Sequence, residues 1–195
     1  MQRMLIVALL VIQIAACKKP ITENPPPAGQ DPEMRYTDLG NQPIGFNQFI
    51  SLDLDKDGQK DISFSTLLVG DPIYKVDKMQ WLLSSSFYTN LPVKEERIPV
   101  MDTGDSIHIR NFNGYEWFNA SHIVLTQKII GITGDPYWEG DWKQAAHQFA
   151  PFQVMHNNSL YNGWVEISFN QADEKLVLHR AAISMEAGKK IAAGK

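Results

Sequence analysis

The chain has 195 residues, with 18 Lys and Arg against 22 Asp and Glu and a net charge of −4. That balance lacks the basic face of a nucleic-acid binder, so nucleic acid is excluded as an expected partner. The single cysteine, Cys17, leaves no disulfide to staple a fold, and stability has to come from packing or from a metal.

The chain opens with a short start carrying Arg3, an apolar run from Met4 to Ile12, and the small residues Ala15 and Ala16 before Cys17. A charged start, an apolar stretch and a small-residue site are the three regions of a secretory signal peptide. The apolar run is shorter than the ~20 residues of a spanning helix, and Gln13 interrupts it. The Ile14-Ala15-Ala16-Cys17 ending resembles the lipobox of bacterial lipoproteins. That resemblance implies cleavage after residue 16, lipid on Cys17, and attachment to a membrane of the bacterial cell envelope, with the outer membrane expected. More than one acyl chain would make the anchoring stable. Loss of residues 1–16 removes only Arg3 among the charges and leaves −5 on the mature chain. Lys18 and Lys19 follow the cysteine where surface-exported lipoproteins often carry acids, so both the periplasmic and the outer face stay open.

Residues 17–36 read as a lipidated cysteine with a Pro-rich tether, containing Pro20, Pro25, Pro26, Pro27 and Pro32 and few large apolar side chains. Residues 37–195 read as the folded domain. Runs with strand texture cover 61–69, 106–112, 122–132, 149–156, 161–169 and 175–183, several of them bounded by Gly, Asn, Asp or Pro. A helical turn is expected within 139–148, where Trp142, Ala145 and Ala146 have suitable spacing. Short strands at regular spacing predict an all-β domain, an antiparallel β-sandwich or jelly roll.

Between an alternating stretch that starts near Phe46, with Ile50 and Leu52 on one parity and Phe49 and Ser51 on the other, and the run 61–69 lies Asp53-Leu54-Asp55-Lys56-Asp57-Gly58-Gln59-Lys60-Asp61. Carboxylates on alternate residues converge on one cation when the chain curls, and glycine permits the sharp turn. Calcium takes about six to eight oxygens, and the expected ligands are the side chains of Asp53, Asp55, Asp57 and Asp61 with the carbonyl of Gln59. The role expected for calcium is structural. The twelfth position is Phe64, not the bidentate Glu of an EF-hand. The loop instead resembles the strand-loop-strand calcium loops of integrin-type propeller repeats, and the resemblance extends to the loop alone. The competing account is a metal-free Asp-Gly turn ordered by Lys56 or Lys60.

Late in the chain come Asn162-Gly163-Trp164-Val165 and a closing Ile191-Ala192-Ala193-Gly194. With the early Asp loop, these resemble a widespread group of bacterial surface and secreted β-proteins. The resemblance implies a β-sandwich and an envelope location, and it carries no activity.

Other constellations are weaker. Asp102-Thr103-Gly104 matches the tripeptide of aspartic proteases, but a second D-[ST]-G is absent and a plain turn is expected. The five histidines show no zinc spacing. Trp117, Trp138 and Trp142 lie in two aromatic clusters among polar residues. As exposed platforms they would stack on sugar rings, and as core they would only pack. The sequence therefore points to a non-enzymatic binding or structural module on the envelope. Its partners are the membrane through Cys17 and a glycan or envelope protein. The alternatives are a glycan-binding lipoprotein using the three tryptophans and an envelope hydrolase, with no catalytic residue singled out.

Overall fold

The computed structural model describes residues 31–195. The signal peptide, Cys17 and most of the expected tether lie outside the described residues. The strands are β1 (Met34–Ile44), β2 (Phe49–Leu52), β3 (Ile62–Asp71), β4 (Val76–Ser85), β5 (Thr89–Val93), β6 (Ser106–Ile107) and β7 (Glu116–Phe118). They continue with β8 (Ile123–Gly131), β9 (Tyr137–Glu139), β10 (Gln148–His156), β11 (Ser159–Asn170), β12 (Lys175–Ser184) and β13 (Ile191–Ala192). The pairings between them are antiparallel.

A six-stranded sheet runs β1-β12-β11-β10-β5-β7, and a five-stranded sheet runs β2-β3-β4-β8-β9. Between them lies the main core, in which Phe64, Trp81, Leu83 and Leu125 meet Phe152, Val165, Ile167 and Leu178. The all-β sandwich expected from the sequence is the observed fold. Strand alternation explains it: along β11, Val165, Ile167 and Phe169 join this core, while Trp164 turns to the opposite face.

That opposite, outer face is half covered. Residues 94–118 and the C-terminal segment cross it, and β6 pairs with β13 there. Beneath them Trp164, Phe149, Ala182, Ile107, Ile191 and Ala193 form a second buried cluster. Three glycines, Gly140, Gly163 and Gly194, are required by close approach. A Cβ on Gly163 would stand 2.2 Å from the Phe152 ring, and one on Gly194, at φ +74°, would stand 2.6 Å from the Phe149 ring.

Several details differ from the sequence reading. β1 begins at Met34, so the last three residues of the expected tether are paired into the sheet, where Tyr36 packs edge-on against Trp164. Of the run 106–112 only Ser106–Ile107 is strand. Beyond it side chains take the backbone carbonyls: Trp117 Nε1 donates to His108 O and Gln153 Nε2 to Ile109 O. The turn expected over 139–148 does not extend into a helix. The segment makes one turn, closed by Ala145 N–H to Trp142 O at 3.0 Å, before β10 starts. Asp102-Thr103-Gly104, by contrast, is the plain turn the sequence predicts, with Asp105 N–H donating to Asp102 O.

Candidate metal centre

The Asp loop joins β2 to β3 at one end of the sandwich. It is closed at its base by Asp61 N–H donating to Leu52 O at 2.8 Å. Lys56 and Gly58 both adopt positive φ, 64° and 92°, which curls the chain back on itself. Each aspartate accepts backbone hydrogen bonds inside the curl. Asp53 takes Lys56 N–H and Gly58 N–H, Asp55 takes Asp57 N–H, and Asp57 takes Gln59 N–H. Asp61 Oδ2 takes Leu54 N–H at 2.5 Å and Asp55 N–H at 3.2 Å. Backbone amides thus supply the order that the metal-free account assigned to Lys56 or Lys60.

The carboxylates of Asp53, Asp55 and Asp61 present oxygens within 4.8 Å of one another, a grouping that could hold a metal ion. Asp57 does not complete this group. It gathers instead with Asp55 and His156, again within 4.8 Å. Gln59 donates to Asp57 through both its backbone N–H and its side-chain amide.

Asp61 is 4% exposed. Burial first, and the charges of Asp55 and Asp53 in addition, push its carboxyl up to about 6, against the pull of its two amide donors. The amides therefore do not neutralise the loop. A hard, oxygen-seeking cation fits this donor set, and Asp53, Asp55 and Asp61 are the residues that would hold it.

His156 was missed in the sequence, where it stands almost a hundred residues from the loop, outside any ligand spacing. It ends β10, and Asn157 and Asn158, both at positive φ, turn the chain into β11. This hairpin carries His156 from the six-stranded sheet to the loop of the other sheet. His156 Nδ1 lies 3.5 Å from Asp55 Oδ2 and 3.9 Å from Asp57 Oδ2. Two further ties reach the loop: Arg35 Nη1 donates to Asp55 O at 2.5 Å, and Ser86 N–H donates to Asp61 O at 2.7 Å. A cavity of about 210 Å³ lies alongside, lined by Arg35, Asp55, His156 and Tyr161 among others.

The three tryptophans do not form an exposed row. Trp142 is 1% exposed and belongs to the main core. Trp138 is half-buried, with ring centroids 5.5 Å from Trp81 and 5.0 Å from Phe169. Trp117 is half-buried on the outer-face cluster, 6.0 Å from Phe112. No protein-family model matches the chain, and no curated protein or solved structure matches it significantly. Fold and site together define an all-β sandwich with an acidic loop able to take a cation.

Proposed function

We propose that the chain is a lipid-anchored protein of the bacterial cell envelope, held at the outer membrane through Cys17. In this reading its sandwich is stabilised by calcium in the 53–61 loop and serves as a binding or structural module. The observation that carries the calcium reading is the gathering of Asp53, Asp55 and Asp61 around a buried carboxyl held up near 6. A divalent ion would remove that repulsion, and carboxylate oxygens suit calcium better than metals that prefer nitrogen or sulfur. The cation's role is structural. The loop is already tied to β1, to the β4–β5 connection and to the β10–β11 hairpin, so ordering it would clamp parts of both sheets. The burial of Trp142 and the packing of Trp138 speak for these aromatics as core rather than as a sugar platform.

Titration calorimetry on the soluble domain, with thermal melts, tests the metal reading. Binding is expected at ~10⁻⁴ to 10⁻³ M, as in extracellular calcium modules. It should raise the melting temperature by linkage, more with calcium than with magnesium, and chelator should reverse the rise. Asp55→Ala should remove most of the response. Absence of heat and of any melting shift up to several millimolar calcium would reject the proposal.

A further inference from the structure

On the open half of the outer face, two strand irregularities coincide. In the β11–β12 pairing, Val165 faces Ala181 and Ile167 faces Leu178, so Glu166 is opposed by both His179 and Arg180. In the β1–β12 pairing, Asp38 faces Arg180 and Gln42 faces Leu178, so residues 39–41 bulge opposite His179. Asn41, at φ 53°, lies in that bulge. Extra residues of this kind re-aim side chains that a regular ladder would keep apart.

The result is a directed chain of hydrogen bonds. His179 Nδ1 lies 2.6 Å from Asn41 Oδ1, and His179 Nε2 lies 2.8 Å from Ser168 Oγ. With the Asn41 amide placed oxygen-inward, that oxygen can only accept, so the His179 proton sits on Nδ1. Nε2 of the neutral ring is then the acceptor, and the Ser168 hydroxyl donates to it. Ser168 Oγ in turn accepts His147 N–H at 2.9 Å. Burial first, then the neighbouring His147, lowers the pKa of His179 and keeps the ring neutral. The His147 ring stacks on His179 at 4.2 Å, held by Glu166 at 2.6 Å, and Glu166 is anchored by Arg180 Nε at 2.5 Å. A depression of about 410 Å³ opens here, lined by Asn41, His147, Glu166 and His179 among others, and half-buried Ser168 adjoins it through its hydrogen bonds to His147 and His179.

A hydroxyl on a neutral imidazole, itself oriented through its second nitrogen, is the arrangement of an activated nucleophile. We propose that Ser168 and His179 are catalytic residues for the hydrolysis of a small carboxylic ester seated in this depression, with Asn41 as the positioning residue. Ser168 Oγ bonds to the carbonyl carbon as its proton passes to His179 Nε2. The carbon–oxygen bond to the leaving alcohol breaks, and the alcohol departs with that proton. Water then attacks the acyl-serine with His179 again taking a proton, which returns to Ser168 as the carboxylic acid leaves. None of this uses the cation loop.

The test is acylation of the full chain by p-nitrophenyl acetate and labelling by an alkyl fluorophosphonate, with the modified residue mapped by mass spectrometry and folding checked by thermal melts. Label is expected on Ser168 and absent in Ser168→Ala. His179→Gln should slow labelling by about a hundredfold or more, the usual scale for loss of a general base. Asn41→Asp keeps an acceptor for Nδ1–H and should label much faster than Asn41→Leu. Failure of the folded wild-type protein to label at Ser168 overturns the proposal, as does labelling at an unchanged rate in folded His179→Gln. Equal rates in the two Asn41 variants overturn the positioning role.

Discussion

Asp61 joins burial to like charge, with Asp53 and Asp55 close by. Its carboxyl is raised from 3.8 to about 6, so across that range the folded protein keeps a proton that the unfolded chain has released. Stability of the metal-free protein should therefore fall as pH rises through that window, and this contribution is fully lost above it. Asp61→Asn can still accept the Leu54 and Asp55 amides but carries no charge. In chelator at neutral pH it should be more stable than the wild type by on the order of 1–3 kcal/mol, while losing much of the calcium response. Melts from acid to neutral pH in chelator check this, and an unchanged pH slope in the variant would count against it. Trp142 differs in kind. It is a core side chain whose Nε1 is buried without a hydrogen-bond partner. Trp142→Ala should cost about 3–5 kcal/mol in denaturant unfolding. Trp142→Phe removes the unsatisfied donor and keeps most of the volume, so it should cost clearly less.

At the scale of elements, the strands were legible wherever alternation was clean and turn residues bounded it. Runs 161–169 and 175–183 lie within β11 and β12. β4 carries the same signal, with Met79, Trp81 and Leu83 inward, but the adjacent Leu82 is buried too and blurs the period. Segment 106–112 looked like strand because apolar and polar residues alternate there. Side-chain donors from Trp117 and Gln153 took the backbone carbonyls that a neighbouring strand would have used. The glycine in Asn162-Gly163-Trp164 has a steric reason: its missing side chain is where the Phe152 ring and the Ala182 carbonyl pass. Gly163→Ala should therefore destabilise the β10–β11–β12 region by about 1–3 kcal/mol or more, and pairing it with Phe152→Leu should recover part of the loss. Unfolding curves for the single and double variants decide this, and additive losses would refute the contact.

At the scale of the whole molecule, the N-terminal segment and the domain pose separable questions. If Cys17 carries lipid, Cys17→Ser should abolish palmitate incorporation and detergent-phase partitioning while leaving the melting temperature of the domain unchanged. A serine variant that still takes up label would remove the lipoprotein assignment. The domain's own candidate sites lie apart in the fold. The acidic loop sits at one end of the sandwich, where loops of both sheets meet, and the Ser168–His179–Asn41 constellation lies on the outer face of the six-stranded sheet. The acidic loop was legible because its carboxylates and glycine are contiguous, and local curling is enough to gather them. Asp57 still escaped the expected arrangement, because His156 arrives from another sheet and groups with it.

Local chemistry determined what is short-range in this chain: an all-β texture, a loop rich in carboxylates, and a segment ending at Cys17 with the pattern of a lipid-attachment signal. Tertiary structure decided what depends on distant residues meeting. It buried Trp142 in the core, brought His156 to the loop, and assembled Asn41, His147, Ser168 and His179 from β1, the turn before β10, β11 and β12. The physical reason is that these meetings depend on strand register and bulges, and a shift of one residue would turn the same side chains to the opposite face.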